Sequence, residues 1–197
     1  MAAARTHNHV TTATSAKTEP DRRRSAAAAE RVCDTNRSAA EEQAIWDILD
    51  NVPDPEIPAV SVVDLGIVRD VSVTPQGSTI SITPTYSGCP ATEFIETMIR
   101  DALTRAGQRA FTVKTVISPP WTTDWITPRG RERLKRAGIA PPVESTGEKS
   151  QLLPPVPCPR CASANTRLVS EFGSTPCKAH YQCRDCLEPF DYFKCLR

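Results

Sequence analysis

Histidine is nearly absent from this 197-residue chain: there are three, and His7 and His9 both fall within the first ten residues. His180 is the single imidazole left for the remainder. That excludes a Ser–His–Asp set and the paired Glu-x-x-His helices that hold a di-iron centre. The eight glycines make neither a dinucleotide fingerprint nor a phosphate loop. No apolar run approaches the ~20 residues that cross a bilayer, and the N-terminus has no apolar signal-peptide core. Neither sign of charge is in excess: 24 Lys and Arg stand against 23 Asp and Glu, a formal net of +1. No global field therefore draws the chain to nucleic acid or to an anionic membrane. A chain so short of general bases is a weak candidate for catalysis on its own.

Cysteine, by contrast, is plentiful, with eight residues. Without a secretion signal, this favours metal or thiol chemistry over disulfides and a cytoplasmic setting. Arg22–Ala29 is Arg- and Ala-rich in the manner of a transit peptide, but Glu19, Asp21 and Glu30 break that pattern. Four cysteines form two pairs, Cys158-Pro-Arg-Cys161 and Cys183-Arg-Asp-Cys186, with twenty-one residues between them. Two such knuckles on adjacent hairpin turns place four thiolates around one ion, and zinc is the usual occupant. Iron in the same set would give a rubredoxin-like electron carrier. The tail is too short to bury a sufficient core without such a staple. Residues 157–197 carry six Lys or Arg against four Asp or Glu. A four-thiolate zinc adds −2, so the ribbon is near neutral and unsuited to DNA. Cys177, His180 and Cys195 lie outside the knuckles and could be spare ligands or an additional thiol site.

Patterning predicts an α+β fold in four parts. Residues 1–37 have almost no large apolar side chain and are expected to be disordered. Residues 38–140 form an α+β domain, 141–156 a Pro- and Ser-containing linker, and 157–197 the ribbon. Ser38 and Glu41 have the spacing of a capping box, and Ala44, Ile45, Ile48 and Leu49 share a helical face. Val71/Val73 and Ile80/Ile82 alternate about a Pro75-Gln-Gly77 turn, as in a hairpin. A helix follows Cys89-Pro90, with Phe94, Ile95, Met98, Ile99, Ala102 and Leu103 as its stripe. Phe111, Val113, Val116 and Ile117 suggest a third strand. Thr127 and Pro128 fit the N-cap and first turn of a short helix bearing Arg129, Arg131, Arg133, Lys135 and Arg136. That helix is either a docking face for an acidic partner or a CoA phosphate, or a solvated surface beside two core tryptophans.

Cys89 is the most suggestive single residue. Pro90 fits the first helical position, which puts Cys89 at or beside the N-cap, under the positive end of the helix dipole. That setting favours a thiolate able to ligate iron or attack an electrophile; the alternative is a small buried cysteine at a helix start. Asp54, Glu56 and Asp64 could supply a second ligand or a proton-transfer group, or serve only turn and cap chemistry.

Two resemblances follow from these residues. Asp54-Pro-Glu56-Ile-Pro58, Val63-Asp64-Leu-Gly66 and the Cys89-Pro90 helix start resemble the small domain of SufT-type and cytosolic iron–sulfur assembly proteins. The segments TTDWITPRGRERLKRAGIAPP, GSTPCKAHYQC and EPFDYFKC resemble the PaaD (PaaJ) family over about residues 40–197. The resemblance implies an accessory protein of the phenylacetyl-CoA epoxidase system that partners its subunits. Such a protein assists iron or iron–sulfur assembly and does not epoxidise. It further implies that Cys89 is the reactive cysteine, that Asp54, Glu56 and Asp64 are the acidic loop, and that the knuckles hold metal. A structural or electron-relay subunit of the same oxygenase is the alternative. Residues 1–37 have no counterpart in the family.

Overall fold

A computed structural model describes residues 38–143 and 156–194. The expectations for residues 1–37, for most of the linker and for Cys195 lie outside them. Ser38–Arg197 groups as one compact unit.

The first layer is a three-stranded sheet with a helix laid on it. Helix α1 covers residues 38–49. It buries Ile45 and Leu49 completely, keeps Ile48 half-buried and leaves Ala44 exposed. Ser38 does not cap this helix: it is already helical, and its hydroxyl donates to the Val73 carbonyl at 3.4 Å. The hairpin is present as β1 (Val68–Thr74) and β2 (Gly77–Ile82). Gly77, at φ +134°, permits the tight turn. Helix α2 (Ala91–Arg105) crosses back to β3 (Phe111–Thr115). Strand β3 runs parallel to β2, giving the order β1-β2-β3. Ile95, Ile99 and Leu103 turn inward on α2, whereas Phe94, expected in the same stripe, is exposed. Strand β3 ends before Val116, and Ile117 lies in solvent.

The short helix α3 (Pro128–Arg136) begins as the sequence implies, with the Thr127 side chain accepting from the Gly130 N–H. Its basic residues do not form an open docking face. Arg129 binds Asp50 and Asp64, Arg133 binds Asp64 at 2.6 Å, and Arg131 donates to the carbonyls of Pro142 and Thr123. Arg136 pairs with Glu132 one turn away. Of the two tryptophans, Trp121 is in the core, while Trp125 is half-buried beneath the Arg69 guanidinium, 3.3 Å from its ring centroid.

The second layer begins with two residues that the sequence assigns to the first domain. After α3, β4 (Ile139–Ala140) pairs in parallel with the last strand of the ribbon. The four-stranded sheet runs β4-β7-β6-β5, with β5 at Thr166–Ser170, β6 at Lys178–Cys183 and β7 at Pro189–Phe193. The strand expected to reach Phe172 stops at Ser170, whose hydroxyl bonds the Phe172 carbonyl in a turn. Phe193 is 1% exposed and packs, together with Cys177, among the core residues of the first layer. Its ring meets Trp121 edge-on at 6.0 Å. The Trp121 indole N–H donates to the Leu65 carbonyl at 2.9 Å, which ties this contact to the loop before β1.

Asp64 holds that loop against α3. Its side chain is fully buried. One carboxylate oxygen accepts from Arg129 Nε at 2.7 Å and from the Thr127 hydroxyl at 3.2 Å. The other accepts from Arg133 and from the Ser61 N–H. Its carbonyl accepts from the Thr127 N–H. A Cβ on Gly130 would sit 2.6 Å from that same carbonyl, so α3 approaches this closely only because glycine stands there. Burial alone would raise the Asp64 carboxyl. The hydrogen bonds from Arg129, Ser61 and Arg133 outweigh it and hold the group below its ordinary value. A depressed carboxyl stabilises the fold above its unfolded value of ~3.9, and that contribution is lost as pH falls through the lower folded value. Asp64→Asn is therefore expected to lose ~3 kcal/mol at neutral pH and to show a shallower stability loss below pH ~4. Denaturant melts across pH check this; equal stability of variant and parent at pH 7 would contradict it.

Candidate functional site

The residues of the acidic loop separate by position. In Asp54-Pro-Glu-Ile, the Asp54 carboxylate accepts from the Glu56 N–H at 3.0 Å and the Ile57 N–H at 2.8 Å, which closes an Asx-type turn. This turn fixes the backbone at Glu56. Burial lifts the Asp54 carboxyl above its ordinary value even though both N–H donors oppose the rise. Asp64 is engaged on the α3 side as described, so it does not join Asp54 and Glu56.

Cys89 sits two residues before Ala91, the first residue of α2. Pro90, not Cys89, is the N-cap. The first-turn N–H and hydroxyl of Thr92 both bond the Cys89 carbonyl, at 3.2 and 2.9 Å. The backbone of Cys89 thus caps the helix, and its half-buried side chain is left to the cavity beside it. Tyr86 lies beside Cys89. Burial, followed by the nearby Cys89, pushes the phenol up to about 12, so it acts as a donor at neutral pH.

One cavity collects these groups. It encloses about 20 Å³, room for a single water or ion. Its polar lining includes Asp54, Glu56, Cys89 and, from the ribbon, Cys177. Leu65, Ile82, Ile95 and Phe193 supply apolar walls. Cys177 is 4% exposed. Its thiol lies 3.7 Å from the Glu56 carboxylate and 3.0 Å from the Thr175 hydroxyl. Burial pushes the thiol up to about 11. The next residue, Lys178, is also buried and sits 3.8 Å from Asp191; its charge bears on both Asp54 and Cys177. Sequence reasoning places Cys177 as a spare thiol and does not mark Lys178. The only local signal is the turn GSTPCKAH, which gives no clue to a contact 121 residues away in the chain.

The knuckles form a second, separate constellation. The sulfurs of Cys158, Cys161, Cys183 and Cys186 all lie within 4.8 Å of one another. Facing pairs are 3.7 Å (Cys158–Cys186) and 3.6 Å (Cys161–Cys183) apart. Tetrahedral coordination with metal–sulfur bonds of ~2.3 Å needs sulfurs ~3.8 Å apart, so the set fits one such ion. The Cys186 N–H points at the Cys183 sulfur at 3.5 Å and, as the largest influence, helps draw that thiol down to about 7. Ser163 and Asn165 clasp Asp185 and brace one knuckle against the other.

Comparison with known proteins recognises two regions of the chain. Residues 42–114 match the family described as "Iron-sulfur cluster assembly protein", and residues 141–194 match "PaaD zinc beta ribbon domain". A putative 1,2-phenylacetyl-CoA epoxidase component of Escherichia coli (strain K12), the D-type member of that complex, is 53% identical over 152 residues, 77% of this chain and 92% of that one. "Fe-S protein maturation auxiliary factor" of Porphyromonas gingivalis (strain ATCC BAA-308 / W83) is 34% identical over 44% of this chain and 83% of its own length. Among solved structures, the "Domain of Unknown Function DUF59" from Bacillus anthracis covers 51% of this chain and 96% of its own length, at 27% identity and a TM-score of 0.48. With an assembly-type module followed by a four-cysteine ribbon, and a relative 53% identical across nearly its full length, the chain belongs to the PaaD family of phenylacetyl-CoA epoxidase subunits.

Proposed function

We propose that this chain is an accessory protein of the phenylacetyl-CoA epoxidase system that assists assembly of the iron or iron–sulfur centres of that oxygenase. It does not perform the epoxidation. The observation that carries this reading is the small cavity at the head of α2, lined by both Cys89 and Glu56, in the module of iron–sulfur assembly type. Such a cavity has a nucleophilic thiol, carboxylates and space for an ion, but no room for an acyl-CoA. Its partners are subunits of the epoxidase complex, and with them it works in the cytoplasm, where CoA thioesters are made and consumed. No helix among the described residues is long and apolar enough to cross a membrane, and the near-zero net charge gives no footing for nucleic acid.

The reading is tested by expressing the oxygenase with and without this chain. Iron per oxygenase and epoxidase activity both fall in its absence, and Cys89→Ser reproduces the loss with the chain still folded. Unchanged iron in an oxygenase that falls apart or loses activity would instead make the chain a structural or electron-relay subunit.

In the ribbon, the four thiolates hold a structural zinc. Because binding there supplies much of the folding free energy of so small a module, Cys183→Ala is expected to release the metal and unfold the ribbon locally, read by metal analysis and thermal melting. Full metal and an unshifted melt in that variant would contradict this. The same four sulfurs accept iron with equal geometry, and colour separates the two: a zinc protein is colourless, whereas a red protein with iron–thiolate bands would favour electron relay.

A further inference from the structure

Strands β2 and β3 are parallel neighbours, so the loops that follow them leave the sheet side by side at its carboxyl end. Between these loops lies an open groove of about 510 Å³, with residues 83–87 on one side and Ile117, Pro120, Trp121 and Thr122 on the other. The first of these loops reaches Cys89 two residues later, and Thr83, Pro84 and Thr85 line both the groove and the small cavity of Cys89. We propose that the groove is the docking site for a short, uncharged segment of the client polypeptide, seated beside Cys89. The proposal rests on the accessory reading above and names the surface that receives the client.

Charge, polarity and shape agree. No charged side chain lines the groove. A phosphate or a CoA tail would enter it without a counter-charge, and a charged peptide side chain would lose its water without gaining a partner. Pro84, Ile117 and Pro120 supply apolar surface above Trp121. Two hydroxyls are already engaged: Thr83 donates to the Val116 carbonyl at 2.8 Å, and Thr122 accepts from the Asp124 N–H. Those of Thr85 and Ser87 have no hydrogen-bond partner among the described residues. Neutral donors and acceptors beside apolar surface match the peptide groups and uncharged side chains of a polypeptide. The low wall separates such a segment from a small molecule. Ile117 is 72% exposed, and Pro119 and Pro120 beside it are exposed as well. Pockets for small ligands bury about 70–90% of the ligand, which so open a groove does not do, whereas a segment of a larger chain brings its own cover. Continuity with the Cys89 cavity gives the docking its use, because it holds the client next to the thiol.

The test uses the full, zinc-loaded chain and purified iron-free oxygenase of the epoxidase system, with binding read by biolayer interferometry. Ile117→Asp sets a charge on one wall at a solvent-exposed position, and Thr85→Lys sets one on the other. Retained zinc and an unshifted melt show that each variant is folded. Each is expected to bind the oxygenase at least ~10-fold more weakly, the effect of a charge desolvated without a partner, while Ile117→Val binds like the parent. A photoreactive side chain placed at position 117 is expected to label one uncharged stretch of the oxygenase. Parent-like binding by both charged variants overturns the proposal, and so does a label confined to a charged stretch. An Ile117→Asp chain that binds the oxygenase normally but turns from dimer to monomer in light scattering also overturns it, assigning the groove to a second copy. If Ile117→Asp releases the oxygenase but iron loading is the same with and without this chain, the groove stands and the assembly reading fails. Iron loading that depends on Cys89 and is untouched by Ile117→Asp is the converse.

Discussion

The structure depends on one act of burial: Phe193 and Cys177, both from the ribbon, lie in the core of the preceding module. A ribbon stapled by a metal alone could hang from a flexible linker. Here the end of β7 carries Phe193 against Trp121, Trp121 is hydrogen-bonded to the loop before β1, and β4 extends the ribbon sheet with two residues that follow α3. Burying a side chain as large as phenylalanine contributes about 1.5–3 kcal/mol, enough to favour the docked arrangement strongly. Docking has a chemical result, since it brings a second thiol to the cavity that Cys89 and Glu56 line.

Asp64 organises the other side of the same loop. Two guanidinium groups, a hydroxyl and a backbone N–H converge on one buried carboxylate. The segment from Asp54 to Asp64 is therefore held at both ends: by the Asx turn at Asp54 and by the arginines of α3 at Asp64. Asp64 is engaged by the arginines of α3, whereas Asp54 and Glu56 both line the cavity with Cys89 and Cys177, and the Glu56 carboxylate lies 3.7 Å from the Cys177 sulfur.

Much of this was legible in the sequence because it is local. The hairpin, the α2 helix, the Thr127-Pro128 cap and the paired knuckles each follow from a period or spacing of a few residues. What was not legible was non-local. Parallel pairing of β4 with β7 joins segments about fifty residues apart, and two residues carry no strand period. The ion pairs from Arg129 and Arg133 to Asp64 reverse the apparent meaning of a basic helix, because charge alone does not tell a solvated face from one turned onto a buried acid. The place of Cys177 stayed open for the same reason: beside its neighbour Thr175, it meets Glu56 and the cavity, 121 residues away in the chain. Pro90 was one position off, a shift that moves Cys89 from capping the helix with its sulfur to capping it with its carbonyl.

The central claim is that the ribbon docks into the core of the preceding module through Phe193 and Cys177. It is tested most directly by the rate at which a small thiol reagent modifies Cys177 in the full, zinc-loaded chain. Cys177 is 4% exposed, so slow modification is expected in the parent and markedly faster modification in Phe193→Ala with its zinc retained. Fast modification of Cys177 in the parent, or an unchanged slow rate in Phe193→Ala, would contradict it.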